Sequence, residues 1–503
     1  MEVKQSLEQD TNWSKLGLYQ DLVEDQGIST KIVEASSEIG LPFDRFLQVS
    51  PQTKAQVQTL VKLAHNHRFA LYPQSRGRNL GYGFNFPCDQ NQIVVNLSNF
   101  TQITDYDREI GEVRIEAGVS QAQLYSFLED KPFLMDSTGA GPEASVLGNA
   151  LDGGIGYSPY GAKRYAISDL EIVLANGQII STGHLFSLGP SLTQLFVQGN
   201  FGIVLSGKIR LFPQPERILG LIIQVKAKDQ LPRVLEELKA LKFGGEIKNI
   251  IHFANPMRLF MSSVSLQEPQ YAHLLAKDLI AEADIIGSDY YWTGFGALMG
   301  DKEMIGVYRR RIKRALGKLA KITLMDQRKI ELIRRFIIPF IPAWKCKLDG
   351  LEELIKLQSG YPSAKPWNSI NWRYTSLEAT GIIWIGVLIP NKQMVINNFI
   401  NKLESLFNAA GFELPLTLSL FEPQSLVGII TILYSRVNPD SCKKARELYS
   451  QVLSMVAVEG LSLYRQAILP DANGIEKEKL AFLKDIKKGV DPQGIIAPGK
   501  YGI

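Results

Sequence analysis

"PQSRGRNLGYG", residues 73–83, packs three glycines and two arginines into the nine positions from Ser75 to Gly83, directly after the apolar run "FALYP". A short apolar run feeding such a loop reads as a buried strand that ends in a turn. The loop lacks the G-x-G-x-x-G dinucleotide fingerprint, and no GK[ST] follows to make it a Walker loop. Its chemistry nevertheless suits a diphosphate. Glycines remove the Cβ atoms that keep a backbone away from an anion, successive N–H groups form an anion-binding concavity, and Ser75 and Asn79 add neutral hydrogen bonds. Taken alone, the loop fits a plain strand-to-strand connection as well. Tyr82, between Gly81 and Gly83, is needed by neither a phosphate cradle nor a turn.

A second stretch, "STGAGPEASVLGNALDGGIGYSPYG" (137–161), holds seven glycines interleaved with Val146, Leu147, Ile155 and Tyr157. Backbone pressed against a flat, partly apolar ligand needs that composition, whereas a solvated loop is polar. Two separated glycine-rich loops suggest one large cofactor lying between them.

Around these loops the chain reads as α+β. Residues 52–68 place Val57, Leu60, Val61 and Ala64 on one helical stripe. "QIVVNL" and "EVRIEAGV" read as strands, "SQAQLYSFLED" as a helix capped by Ser120, and "LEIVLANGQIIST" as a hairpin turned by Asn176-Gly177. "SLTQLFVQGN" reads as a helix and "FGIVLSGKIRLFP" as a strand. From about 218 to 457 the texture changes: long helical patterns such as "DKEMIGVYRRRIKRALGKLA" alternate with strands such as "GLIIQVKA" and "ATGIIWIGVLI". This reads as a second α+β domain, residues 218–457, inserted between an N-terminal part, 1–217, and a C-terminal segment, 458–503.

A chain of 503 residues exceeds one hydrophobic core, and its 45% hydrophobic and 21% charged content is that of a soluble globular protein. A net charge of +4 argues against nucleic acid. The polar N-terminus lacks the layout of a signal peptide, and the longest apolar runs are half a membrane span and broken by prolines, so a cytoplasmic protein without membrane contact is expected. Cys88, Cys346 and Cys442 are odd in number and far apart, which fits free thiols. His65 and His67 are two apart on a helix and make a poor metal pair, so no metal is expected. The basic run Tyr308–Lys321 reads as a solvated helix face, with an acidic docking partner as the other reading.

At this point the sequence resembles a family. "PQSRGRNLGYG", "SVLGNALDGGIGYSPYG", "LFVQGNFGIV" and the terminal "DPQGIIAPGKYGI" are similar to the FAD-binding signatures of the vanillyl-alcohol oxidase and 4-cresol dehydrogenase flavoprotein family, and "WTGFGALMG" and "GYPSAKPWNSINWRYT" to its cap domain. The resemblance, in one order from about residue 45 to the C-terminus, implies a two-part FAD-binding domain with an inserted α+β cap. It implies that Pro73, Ser75, Arg76, Gly77, Arg78, Asn79 and Leu80 meet the pyrophosphate. Ser145, Gly148, Asn149, Gly153, Gly156 and Tyr157 would line the flavin, Gly202 and Val204 the adenosine end, with Arg465 and Lys500 completing the cofactor site.

The resemblance also implies that a para-substituted phenol binds as phenolate, clamped by Tyr82, Tyr464 and Arg465, and loses hydride from its benzylic carbon to the flavin through a quinone methide. An FAD enzyme for a non-phenolic alcohol, hydroxy acid or biosynthetic intermediate is the alternative. Oxygen or a redox partner would take the electrons, and a homodimer is suggested by resemblance only. Two positions depart from the family. Where relatives tether FAD through a cap histidine or tyrosine, the alignment falls near Ile383, so FAD is expected to be non-covalent. Where relatives place an aspartate before the glycine–asparagine motif, this chain offers only Asp136 and Glu143, and Glu143 is the candidate acid/base.

Overall fold

The computed structural model describes residues 16–34, 41, 43–157, 159, 161–184, 189–263, 290–340, 344–364, 379–468 and 477–503. Much of the cap fragment "GYPSAKPWNSINWRYT", together with Ser158, Tyr160 and His273, lies outside them.

Three sheets carry the fold. The first, with strand order Ser29–Glu34, Arg45–Ser50, Gln92–Asn96, Ala70–Gln74, is parallel except for its outer pair. Its inner strands Arg45–Ser50 and Gln92–Asn96 are mostly buried, whereas the outer strand Ser29–Glu34 is exposed and polar. The helix Lys54–His67 buries Val57, Leu60, Val61 and Ala64 against it, opened by Thr53, whose hydroxyl accepts from the Gln56 N–H, and stopped by left-handed Arg68. The second sheet is antiparallel, ordered Ile103–Asp107, Glu112–Glu116, Ile203–Arg210, Ile167–Val173, Ile179–Ser181. Its last hairpin turns at Gly177, with φ +80°, as the Asn-Gly pair requires. Ser120 closes a full capping box with Gln123 on the helix Gln121–Leu128. The expected helix at 191–200 is only a 3₁₀ turn, Leu192–Phe196, because Phe196 and Phe201 must both be buried within a few residues.

The third sheet has eight antiparallel strands, in the order Lys321–Met325, Arg217–Val225, Trp292–Gly300, Ile251–Ala254, Leu416–Glu422, Ser425–Ser435, Thr380–Pro390, Ser462–Arg465. Helices Leu231–Phe243, Lys302–Leu316, Gln393–Ala410 and Pro439–Val458 cover one face and share its largest core. The strand that brings Tyr464 and Arg465 is therefore an edge strand of the large sheet.

The chain then returns to the first sheet. Leu71 donates to Ile495 and accepts from Ala497, both at 2.7 Å, so the tail runs beside the strand that feeds the glycine-rich loop. Asp491 holds this return in place: its carboxylate accepts from the Ile495 and Ile496 N–H groups and pairs with buried Lys487 at 2.7 Å. Asn200 ties the second sheet to the same tail through the carbonyls of Ala497 and Ile503.

Candidate functional site

A cleft partly open to solvent lies where the glycine-rich loop, the short helix Val146–Leu151 and the returning tail meet. Of the residues singled out from sequence, Pro73, Ser75, Arg76, Gly77, Arg78, Asn79, Ser145, Gly148, Asn149, Gly202, Val204, Arg465 and Lys500 line it. Ser145 caps the short helix by accepting from the Gly148 N–H at 2.8 Å. A Cβ on Gly148 would stand 2.2 Å from Ser75 Oγ, so the two glycine-rich loops touch only because that position has no side chain.

Four of the named cofactor residues lie off the cleft, as do Tyr82 and Tyr464. Leu80 is buried with Ile382. Gly153, at φ +78°, turns the chain beside Gln198. Gly156 rests against the Asp136 carboxylate. Tyr157 packs its ring on His252 at 4.9 Å. Glu143 does not line the cleft either. Its carboxylate is 58% exposed and pairs with Arg76 at 2.8 Å, while its carbonyl accepts from Arg76 Nε at 2.7 Å. That placement makes it a brace for Arg76, and an acid that already faces water and a guanidinium is poorly suited to proton transfer.

Arg465 is the centre of the arrangement. Its buried guanidinium donates to Asp152 and Asn79 and lies 4.0 Å from the centre of the Tyr82 ring. Burial opposes the charge, but Asp152, reinforced by the Tyr464, Tyr82 and Tyr501 hydroxyls, outweighs it and holds Arg465 firmly cationic. Tyr82 shares a side-chain hydrogen bond with Tyr464, and burial, with Tyr464, pushes its hydroxyl well above the ordinary range. It stays a neutral donor. Tyr501 donates to the other oxygen of Asp152, and its own hydroxyl is likewise raised by burial. Lys500 stands 4.7 Å over the Tyr72 ring; burial lowers its pKa, while Asp152 and Cys88 pull it back up.

Local structure explains how Tyr82 and Tyr464 meet. The loop is pinned from both sides: Trp384 N–H donates to Gly81 O and Ile468 N–H to Tyr82 O, each at 3.0 Å. On the edge strand Arg465 pairs with Gly386 and Leu463 with Val387, so Tyr464 is the extra residue of a bulge. The bulge turns its ring onto Gly386, where a Cβ would lie 1.9 Å from the ring. Asp152 and Tyr501 are the contributors that sequence reading passed over. Both sit inside motifs already quoted, "GNALDGG" and "GKYGI", but the carboxylate at 152 gains meaning only once Arg465, 313 residues later, is beside it.

The fit to a dinucleotide-sized cofactor rests on the site itself. Among the described residues, Arg465 Nε and Asn149 Oδ1 are buried without a hydrogen-bond partner. Both belong to residues that face the cleft, which also presents the backbone of a glycine-rich loop and the cations Arg76, Arg78 and Lys500. No group of His, Cys, Asp and Glu able to hold a metal occurs among the described residues.

Two substitutions test this geometry. Gly148→Ala forces the loops apart, and the purified protein is expected to carry much less flavin per polypeptide, read by absorbance, with its far-ultraviolet circular dichroism unchanged. Asp152→Ala strands the Arg465 cation and the Tyr501 hydroxyl; removing one partner of a buried pair costs about 3–5 kcal/mol, to be read from chemical denaturation, and Asp152→Asn is expected to lose less.

Comparison with known proteins places the cleft in context. Residues 47–183 match the FAD binding domain family. The chain is 26% identical to 1'-carboxy-chondrochloren decarboxylase of Chondromyces crocatus, over 90% of each chain. It is 25% identical to the 4-cresol dehydrogenase [hydroxylating] flavoprotein subunit of Pseudomonas putida, over 90% of this chain and 87% of that one. The solved 4-ethylphenol oxidase of Gulosibacter chungangensis superposes with a TM-score of 0.80 at 22% identity, covering 91% of this chain and 89% of that one. The matched domain spans both glycine-rich loops, and the similarity to the full-length relatives covers nine-tenths of this chain; the chain carries an FAD binding domain and is an FAD-dependent oxidoreductase.

Proposed function

We propose that the enzyme oxidises a para-substituted phenol, with Tyr82, Tyr464 and Arg465 holding the phenolic oxygen as its anion. The carrying observation is the meeting of Tyr82, from the glycine-rich loop, with Tyr464 and the buried Arg465 guanidinium, both from the edge strand. The names of two relatives, 4-cresol dehydrogenase and 4-ethylphenol oxidase, lend the substrate class. A phenol with a pKa of about 10 is neutral in water at pH 7. A fixed cation beside two neutral hydroxyl donors lowers that value by stabilising the anion.

The tyrosines act on the oxygen, and Arg465 does so while also lining the cofactor cleft. The phenolate they stabilise pushes electron density through the ring to the para carbon, which weakens the benzylic C–H bond, so that loss of hydride to an acceptor leaves the substrate as a quinone methide. FAD, when bound, supplies the hydride acceptor. Asp152 and Asn79 hold the Arg465 guanidinium in position against the Tyr82 ring. Trp384, edge-on to Tyr82 with ring centres 6.0 Å apart, walls the clamp from the cap side. Residues 1–217 with 458–503 are proposed to form the cofactor domain and 218–457 the cap. FAD is proposed to be non-covalent, since Ile383 is sealed in the core and offers no nucleophile.

Under anaerobic conditions para-alkyl phenols are expected to bleach the flavin of the purified protein. Tyr464→Phe should slow that reduction about 10²-fold, the scale for losing one preorganised donor, and Arg465→Ala should slow it further. Normal phenol oxidation in both variants, or bleaching by hydroxy acids alone, rejects the phenol reading. Denaturing the holoprotein is expected to release all its yellow colour from the polypeptide; colour that stays attached means a covalent link.

A further inference from the structure

The most asymmetric surface of the molecule lies far from the cleft. Between Lys302 and Arg335 the chain carries twelve Lys and Arg against three Asp and Glu, a local charge of +9 in a protein whose total is +4, so everything else is net acidic at −5. This segment builds one edge of the eight-stranded sheet: the edge strand Lys321–Met325, the helix Lys302–Leu316 before it and the helix Gln327–Phe336 after it. The two helices flank the edge from opposite faces. Ile305, Ile312 and Leu316 enter the main core, whereas Ile330 joins Ile222, Leu348 and Ile355 on the other face. Few of the cations are spent internally. Arg311 pairs with Glu246, and Arg334 with Asp349 and Glu352, while Arg309, Arg310, Lys313, Arg314, Arg328 and Lys329 stand exposed.

The same edge ends in an apolar projection. Leu332, Phe336 and Phe340 are 56%, 57% and 84% exposed, and Ile337 stands open between the two phenylalanines. Arg335 lies 5.3 Å over the Phe336 ring, so cation and aromatic are presented together. Scattered apolar surface residues need no explanation, but a cluster of large ones rimmed by charge does. The cluster sits at the C-terminal end of the helix Gln327–Phe336 and in the turn that follows it. Exposed large apolar side chains beside basic ones suit a soft surface into which they can sink, with the cations meeting a layer of phosphates.

We propose that this edge is a peripheral membrane-binding surface, in which Phe336, Ile337 and Phe340 enter the headgroup boundary of an anionic bilayer and the surrounding Arg and Lys side chains engage lipid phosphates. No helix among the described residues is long and apolar enough to cross a membrane, and this mode of binding requires none. It also leaves the site free. The Tyr464–Arg465 strand is at the opposite edge of the sheet, seven strand spacings or about 34 Å away.

The test is flotation of the full-length FAD-loaded protein with vesicles of phosphatidylcholine alone and of phosphatidylcholine with phosphatidylglycerol. Co-flotation is expected only with the anionic vesicles, and added salt should release it. Arg309→Glu, Arg310→Glu and Arg314→Glu together should cut the bound fraction roughly tenfold or more, as should Phe336→Ser with Phe340→Ser. Flavin content and turnover of a soluble substrate should be unchanged in both, which separates failure here from failure of the proposed oxidation. In Phe340→Trp the emission should shift to shorter wavelength on adding anionic vesicles. Failure of the wild-type protein to float with anionic vesicles at low salt overturns the proposal, as does flotation that the serine pair leaves intact. Two further results overturn it in favour of another occupant. Heparin binding as strong as vesicle binding, and indifferent to Phe336 and Phe340, assigns the patch to an acidic macromolecule. A dimer that the serine pair converts to monomer assigns it to a second copy of the chain.

Discussion

The pair between Arg465 and Asp152 is the constraint on which the rest of the site depends. A guanidinium removed from water is costly unless its charge is met and its donors are filled. Asp152 meets the charge, Asn79 takes a second donor, and the face of Tyr82 receives the cation. Asn79 and Tyr82 come from the glycine-rich loop and Asp152 from the end of a short helix, while Arg465 itself stands on the edge strand of the large sheet. Tyr501, in the terminal six residues, fixes the remaining oxygen of Asp152. The pair therefore joins four segments at the bottom of the cofactor cleft.

The architecture serves that junction. A sheet of eight strands places its last strand against the cofactor-binding body, and the bulge at Tyr464 turns one side chain toward Tyr82 while the next reaches Asp152. The tail that follows returns to the strand feeding the opening loop, so the segment carrying Arg465 and the loop carrying Tyr82 are anchored to each other at both ends. Rigid support of this kind is what preorganised electrostatics needs, because a charge that must reorganise during reaction stabilises less.

How much of this was legible in the sequence follows from the range of the forces involved. The helix at 54–67, the capping box at Ser120 and the Asn-Gly hairpin were readable because periodicity, capping and turn chemistry act over a few residues. The glycine-rich loops announced a close backbone approach, and Gly148 against Ser75 is such a contact. The long reach was not readable. Asp152 looked like one more polar residue in a loop until folding brought Arg465 to it. Glu143, the better acid by sequence position, was drawn outward by Arg76, a partner that no spacing rule links to it. The 3₁₀ turn at Leu192–Phe196 likewise obeys the burial of two phenylalanines over the helical pattern of the run.

A phenol's ionisation can be seen directly. The ultraviolet difference spectrum of a simple para-alkyl phenol bound to the oxidised holoprotein at neutral pH is the most direct measure of what the Tyr82, Tyr464 and Arg465 group does. The phenolate band is expected, at a pH where the free phenol is neutral. A bound phenol that keeps its neutral spectrum would contradict the proposed clamp.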